Sequence, residues 1–420
     1  MNNQTLVHHQ ENRYPTYCSL LWSNVTIDTN RELRYCCWSD VVGKNTESQT
    51  IEEFWNDDHI NDARNKMLNG ERPNACWKCW ADEDLGLESR RLMHNNDKAA
   101  DGNYPEEKID ENIKASIDNK PMPHGPQSVD IKFGNVCNLQ CRMCNPHGSN
   151  LINKEAKENK QLYEDGQYFH KEINEANFKW YESDRLYQDL RENIDNIYRI
   201  KILGGEPFFN MAVRKFLTEL ISEDKAKNIK LHVITNATKI NKSLIEDIFL
   251  KFFFLELNVS VDGIGSHYDY IRFPGKWETV DKNLRLLSEY QSKDMVFYII
   301  ITQQFHNLYN IIDIIKYAEK YNLDVPLITE VEYPSHYASR NLSKEIKDKV
   351  VNYYRSIEFN RPHHRYLLAR LCDMLSETEV YDPDAINKFV KYTNTLDKIR
   401  GQSFKESCPQ EWELLKEYFI

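Results

Sequence analysis

The chain has 420 residues, 40% of them hydrophobic, and a formal net charge of −11. This length suffices for one large domain and a smaller one. The negative charge, without a cluster of basic and aromatic residues, excludes a general nucleic-acid binder. The first 17 residues are polar, and the most apolar stretch, Leu244–Val261, contains four charged residues. We therefore expect neither a secretory signal nor a membrane span, and a cytoplasmic location.

Ten cysteines are distributed unevenly along the chain. In a reducing compartment, grouped cysteines are better candidates for metal ligation or catalysis than for disulfides. Eight of the ten fall into an early group and a second group beyond residue 130: Cys18, Cys36, Cys37, Cys76 and Cys79, then Cys137, Cys141 and Cys144. The other two, Cys372 and Cys408, are expected to be buried as small apolar side chains.

Two short helices are predicted between the early cysteines. Thr50 and Glu53 have the spacing of a capping box, and Asn56 is expected to cap a second helix that ends at Gly70. The apolar face of this second helix consists of Ile60, Ala63 and Met67. Residues 95–127, rich in charged residues and prolines, are predicted to be a linker.

Six apolar strands alternate with helical segments in the next part of the chain. The predicted strands are Val129–Gly134, Arg199–Leu203, Leu231–Thr235, Leu255–Val261, Met295–Thr302 and Val325–Glu330. Near-continuous apolar strands separated by helices predict an α/β fold with a parallel sheet buried on both faces. Six strands are too few for a closed eight-stranded barrel, so an open partial (β/α)6 barrel is expected. An insertion is expected within 146–198, and helices from Leu342 onward.

Cys137, Cys141 and Cys144 follow the first of these strands with the spacing Cys-x3-Cys-x2-Cys. Three thiolates from one short loop can bind three irons of a [4Fe–4S] cluster and leave the fourth iron open to a ligand. The alternative is a tetrahedral zinc site, which His147 would complete.

This spacing resembles the signature of radical S-adenosylmethionine (SAM) enzymes. The next strand ends in Gly204-Gly205-Glu206-Pro207, which is similar to the GGEP motif of that family, whose backbone edge binds the cofactor's amino group. Paired glycines allow close backbone approach to a ligand, and a carboxylate suits an ammonium. The resemblance also implies cofactor contacts from the ends of later strands and from the cysteine loop, at Asn236, Ser260, Arg272 and Met143. Met143 stands where the family often has an aromatic residue.

The early cysteines resemble half of a SPASM or twitch module, which binds an auxiliary iron–sulfur cluster. The resemblance implies Cys18, Cys36, Cys76 and Cys79 as ligands, with Cys37 as the competitor of Cys36 and a zinc ribbon as the alternative. Residues Asp397–Ser403 also resemble twitch-containing radical proteins. The implied division is an auxiliary-cluster domain, a linker, a radical SAM barrel and a helical extension: 1–94, 95–127, 128–335 and 336–420.

The resemblance implies that a reduced cluster cleaves SAM to a 5′-deoxyadenosyl radical, which removes hydrogen from a substrate. The implied substrate is a peptide or protein, and the implied electron donor is a flavodoxin or ferredoxin. Two alternatives stay open: a radical enzyme acting on a small metabolite, and a non-catalytic metal or electron-transfer protein. No nucleic-acid or membrane partner is expected.

Overall fold

A computed structural model describes residues 14–40, 49–84, 86, 88–96, 105–162, 175–182, 185–377 and 381–419. Its centre is one sheet of eight strands. The strands are β1 (Asn24–Ile27), β2 (Leu33–Arg34), β3 (Ser128–Lys132), β4 (Arg199–Leu203), β5 (Lys230–Thr235), β6 (Phe254–Ser260), β7 (Met295–Gln303) and β8 (Asp324–Glu330). Their order is β2-β1-β3-β4-β5-β6-β7-β8. Only β1 and β2 are antiparallel neighbours; every other adjacent pair is parallel.

Helices connect the strands of the sheet and follow its last strand. Those between β2 and β3 are α1 (Ile51–Trp55), α2 (Asp58–Leu68), α3 (Trp77–Asp84), α4 (Arg90–Asn96) and α5 (Glu106–Ile117). Those between β3 and β8 are α6 (Asn150–Glu158), α7 (Arg185–Glu192), α8 (Met211–Ser222), α9 (Lys242–Asp247), α10 (Ser266–Ile271), α11 (Trp277–Tyr290) and α12 (Asn310–Lys320). Those after β8 are α13 (Lys344–Arg355), α14 (Pro362–Glu377), α15 (Pro383–Arg400), α16 (Phe404–Ser407) and α17 (Pro409–Leu415).

The predicted α/β class, the six parallel strands and the helical C-terminal region are confirmed. The prediction missed β1 and β2, which extend the same sheet. β1 lies parallel to β3, with Asn24 opposite Ser128 and Ile27 opposite Ile131. The sheet therefore runs across the proposed division of the chain at residues 94 and 128, and that division stays a prediction.

The two faces of the sheet differ in chemistry. Along β6, the buried residues Leu255, Leu257 and Val259 alternate with half-buried Glu256 and Asn258. β7 alternates in the same way. The predicted burial of both faces therefore holds across β3, β4 and β5, whose residues are buried on both sides, whereas the polar face of β6 and β7 keeps contact with solvent.

The N-terminal helices begin largely as predicted. Thr50 Oγ1 accepts a bond from the Glu53 amide at 3.2 Å, and the Glu53 carboxylate accepts one from the Thr50 amide at 3.0 Å. The capping box is confirmed. The predicted cap of α2 was wrong: Asp57, not Asn56, caps it, because Asn56 already ends α1.

The segment predicted to be a linker contains α5, which packs against the core. Ile109 and Ile113 are fully buried, and the Trp22 indole donates to Ser116 Oγ at 2.8 Å. The charged residues that suggested a linker lie on the outer side of this amphipathic helix. Within the described residues, none of the helices has the length and apolar character that a membrane crossing requires.

Candidate metal and cofactor site

The loop after β3 brings three thiols into one buried region. Cys137 is buried, and Cys141 and Cys144 are half-buried. Burial raises the pKa of all three thiols, and the negative charges of Cys141 and Cys144 raise that of Cys137 further. The three thiols therefore lie near enough in this loop for the charge of one to act on another. A metal that binds these thiols displaces their protons and stabilises the thiolate form, which burial alone disfavours.

Backbone hydrogen bonds hold this cysteine loop against the segment that ends α10. The Gln140 amide donates to the Phe273 carbonyl at 2.6 Å, and the Arg142 amide donates to the Ile271 carbonyl at 2.8 Å. On the other side, Ser149 Oγ donates to the Leu139 carbonyl at 2.7 Å. The loop is thereby fixed on both sides before any ligand binds.

Arg142, inside the cysteine loop, connects it to the C-terminal helices. Its buried guanidinium lies 3.6 Å from the Tyr270 ring centroid and donates to Asp397 Oδ1 at 2.5 Å and Gln402 Oε1 at 3.1 Å. Sequence reasoning missed this role for Arg142. The available signal was the motif Asp397–Ser403, whose Asp397 and Gln402 are these two partners.

The glycine-rich loop after β4 packs on the cysteine loop. A Cβ on Gly205 would lie 2.3 Å from the Val136 carbonyl oxygen, and one on Gly204 would lie 2.9 Å from Lys132 Cβ. Both glycines have positive φ, +82° at Gly204 and +55° at Gly205, which a larger residue rarely adopts. The two glycines therefore let the glycine-rich loop pack closely on the cysteine loop. From the sequence, we expected them to let this backbone approach a ligand.

The Glu206 carboxylate is fully engaged within the protein. Oε1 accepts from Thr235 Oγ1 at 2.6 Å and from the Phe208 amide at 3.2 Å, and Oε2 accepts from the Asn236 amide at 2.7 Å. That this carboxylate also meets the ammonium of a ligand stays a prediction. Burial raises the pKa of Glu206, although these hydrogen bonds act to lower it. Glu206 instead ties the end of β5 to the glycine-rich loop.

The other predicted cofactor residues surround the same edge of the sheet. Asn236 donates to Asn138 Oδ1 at 3.0 Å, so the end of β5 also contacts the cysteine loop. Arg272 is buried; it binds Asp262 Oδ2 at 2.5 Å and points Nη1 at Cys141 Sγ, 3.9 Å away. Ser260, Met143 and Pro207 complete the set: Ser260 ends β6, Met143 is partly buried against the core, and Pro207 is buried.

Residues 131–324 match the radical SAM superfamily. These residues form a radical SAM domain. The matched segment runs from β3 into β8 and contains the three-cysteine loop, the glycine-rich loop and Arg272. No curated protein matches the chain in sequence.

Two solved structures are similar to this chain in part. Native anSMEcpe with bound AdoMet is 16% identical, with a TM-score of 0.37, over 66% of this chain and 68% of that chain. SuiB from Streptococcus suis bound to S-adenosylmethionine is 14% identical, with a TM-score of 0.37, over 73% of this chain and 61% of that chain. SuiB has also been solved with the precursor peptide SuiA.

The donor chemistry of the radical SAM domain fits an iron–sulfur cluster. A Cβ on Gly148 would lie 2.8 Å from Cys144 Sγ, so this glycine keeps space open beside the thiol. Three thiols of one loop match the cluster's preference for thiolate ligands. His147, the fourth ligand of the zinc alternative, packs at a tilt against Phe178, with ring centroids 5.8 Å apart. In the described part of the chain, no three His, Cys, Asp or Glu side chains are placed so that together they could hold one metal ion.

A second cysteine site lies beside the radical SAM domain. Cys18, Cys36, Cys76 and Cys79 line one pocket of about 410 Å³, its open mouth included, together with Trp38, Arg90 and Arg91. Burial raises the pKa of Cys18 and Cys36 to about 12 and also raises that of Cys76 and Cys79. The structure thus brings together the four predicted auxiliary ligands from three separate segments.

Cys36 lines this pocket and Cys37 does not. β2 ends at Arg34, and the chain bends at Tyr35 and Cys36, so both of these residues line the pocket. The placement favours Cys36, the ligand that the resemblance implies, over Cys37.

Proposed function

We propose that this protein is a radical SAM enzyme that cleaves S-adenosylmethionine reductively and removes a hydrogen atom from a peptide or protein, as a post-translational modification. The observation that carries the proposal is the junction of the three-cysteine loop with the glycine-rich loop inside the radical SAM domain. There, the Glu206 amide donates to the Val136 carbonyl at 2.8 Å. The loop that would ligate the cluster and the loop that would bind SAM therefore lie together at one edge of the sheet.

The chain's own residues would hold the cofactor as follows. Cys137, Cys141 and Cys144 would ligate a [4Fe–4S] cluster, which supplies the electron for cleavage when bound. Gly204 and Gly205 would present backbone to the methionine part of SAM. Asn236 and Ser260, at the ends of β5 and β6, would contact the rest of it.

Arg272 would serve the cluster as much as the cofactor. Its guanidinium already faces Cys141 Sγ and is held there by Asp262. A positive charge beside a thiolate favours the anionic ligand. Met143 would cover the apolar side of the adenine, as a polarizable thioether can.

The four-cysteine pocket would bind an auxiliary cluster. Cys18, Cys36, Cys76 and Cys79 provide four thiolates, so no iron would be open to substrate, and the cluster would carry electrons or support structure. The modules that this region resembles often belong to peptide-modifying enzymes, which is the basis for a peptide or protein substrate. A cytoplasmic flavodoxin or ferredoxin would donate the electron.

The test is 5′-deoxyadenosine formation by anaerobically reconstituted, reduced protein given SAM. We expect slow formation without substrate, abolished in Cys141→Ala and retained in Cys372→Ala, which removes a buried thiol from α14. A cluster-loaded, reduced protein that forms no 5′-deoxyadenosine would refute enzyme function and favour an electron-transfer protein.

A further inference from the structure

A row of ionisable side chains crosses the polar face of the sheet. Asp130, Lys201, His232 and Glu256 stand opposite one another on β3, β4, β5 and β6. Arg199 lies two residues before Lys201 and so shares this face. Helix α4 lies against the row, because Arg90 Nη2 is 3.9 Å from Asp130 Oδ2.

The pairing within this row leaves one cation over. Asp130 Oδ1 is 3.3 Å from Arg199 Nη1, and its other oxygen faces Arg90. The second terminal nitrogen of Arg199 lies 3.0 Å from His232 Nδ1. Lys201 is only 5% exposed, yet no described residue offers its ammonium a hydrogen bond or an ion pair.

Lys201 is the cation of the row that lacks an anionic partner of its own. Burial lowers the pKa of His94 to about 3 and that of His232 well below its usual range, so both rings are neutral at pH 7. Arg90 lies between Asp130 and the four-cysteine pocket, where Cys36 and Cys79 also act on its charge. Arg199 pairs with Asp130, so a further carboxylate at this place would pair with Lys201.

Two further polar atoms beside the row lack partners. Arg90 Nε and Asn258 Oδ1 are buried without a hydrogen bond in the described structure. The Arg90 Nε–H group needs an acceptor, and Asn258 Oδ1 needs a donor. The row is also reachable, because the side chains of Arg90 and Arg199 keep 18% and 17% of their surface exposed.

We propose that Lys201 and Arg90 bind a carboxylate of the substrate, the side chain of an aspartate or glutamate in the peptide. A carboxylate supplies the ion-pair partner that Lys201 lacks and the hydrogen-bond acceptor that Arg90 Nε lacks. A peptide amide next to it would supply the donor for Asn258. The assignment deepens the proposed function and rests on it for the choice of a peptide as the source of the carboxylate.

The test compares two small probes on the full-length, anaerobically reconstituted protein: N-acetylglutamate α-amide and its neutral analogue N-acetylglutamine α-amide. Binding to the folded state raises the thermal unfolding midpoint. We expect the glutamate probe to raise it at millimolar concentration and the glutamine probe to leave it unchanged. Lys201→Met should abolish the shift, whereas Lys201→Arg should keep it.

The matched control is Lys282→Met, which removes an exposed lysine from α11 and should keep the shift. Should Lys201→Met not unfold cooperatively, Lys201→Gln replaces it as the neutral variant. Equal responses to the two probes, an unchanged shift in Lys201→Met, or stabilisation by inorganic phosphate alone would each overturn the proposal. Formation of 5′-deoxyadenosine by the unmodified protein, measured in parallel, tests the proposed function separately.

Discussion

The two cysteine groups of this protein are assembled in opposite ways. Cys137, Cys141 and Cys144 lie on one loop, and backbone bonds fix that loop against the chain after α10. The four thiols of the N-terminal pocket come from three segments: Cys18 before a short 3-10 helix, Cys36 after β2, and Cys76 and Cys79 around the start of α3. Local spacing determines the first group, whereas tertiary packing brings the second together.

The surroundings of the two groups are similar in charge. Arg272 faces Cys141, and Arg90 and Arg91 line the N-terminal pocket. Thiolate-ligated clusters carry negative charge, so nearby guanidinium groups stabilise them. The difference therefore lies in ligand number: three thiols would leave one iron of a cluster open, and four would leave none open.

The largest expected effect comes from removing the three-cysteine group. Replacing Cys137, Cys141 and Cys144 by Ala should lower bound iron and sulfide by about half, because a thiolate-ligated [4Fe–4S] cluster does not form without its ligands. Iron and sulfide analysis after anaerobic reconstitution measures this. Complete loss of iron would show that the two groups depend on each other.

The second prediction separates the adjacent cysteines. Cys36→Ser should remove the auxiliary cluster and Cys37→Ser should retain it, because only Cys36 lines the pocket. Each variant serves as the control for the other, with visible absorption and iron content as readouts. The reverse pattern would assign the ligand to Cys37, and no effect from either would leave a site with three cysteine ligands.

The third prediction concerns the support of the cysteine loop. Arg142→Met should lower the free energy of unfolding by about 3 kcal/mol, because it breaks a buried ion pair and leaves Asp397 without its guanidinium. Chemical denaturation measures the change. Arg285→Met, which breaks an exposed ion pair with Asp281 on the surface of α11, should cost much less, because solvent screens that pair. Equal costs would contradict the anchoring role.

The smallest effect is expected at Glu206. Glu206→Gln should weaken SAM binding about tenfold while cluster content stays constant, because the amide cannot accept all the bonds from Thr235, Phe208 and Asn236. Equilibrium binding of SAM measures this. If Glu206→Gln loses the cluster as well as SAM binding, then Glu206 acts by supporting the cysteine loop.

Short motifs and strand patterns were predictable because they depend on neighbours in sequence. The six parallel strands and the convergence of Cys137, Cys141 and Cys144 follow from such patterns. Contacts between distant segments were not predictable. Arg142 and Asp397 are 255 positions apart, and β1 joins β3 across about 100 residues. The role of Glu206 was also missed, because a carboxylate's partner depends on where β5 ends.

We expect SAM to bind at the three-cysteine site and not at the four-cysteine site. Electron paramagnetic resonance of the reduced, reconstituted protein with and without SAM distinguishes the two sites. We expect SAM to change the signal that disappears in the Cys137, Cys141 and Cys144 to Ala variant, and to leave the remaining signal unaltered. A SAM-dependent change in the signal that survives in that variant, or none in either signal, would contradict the account.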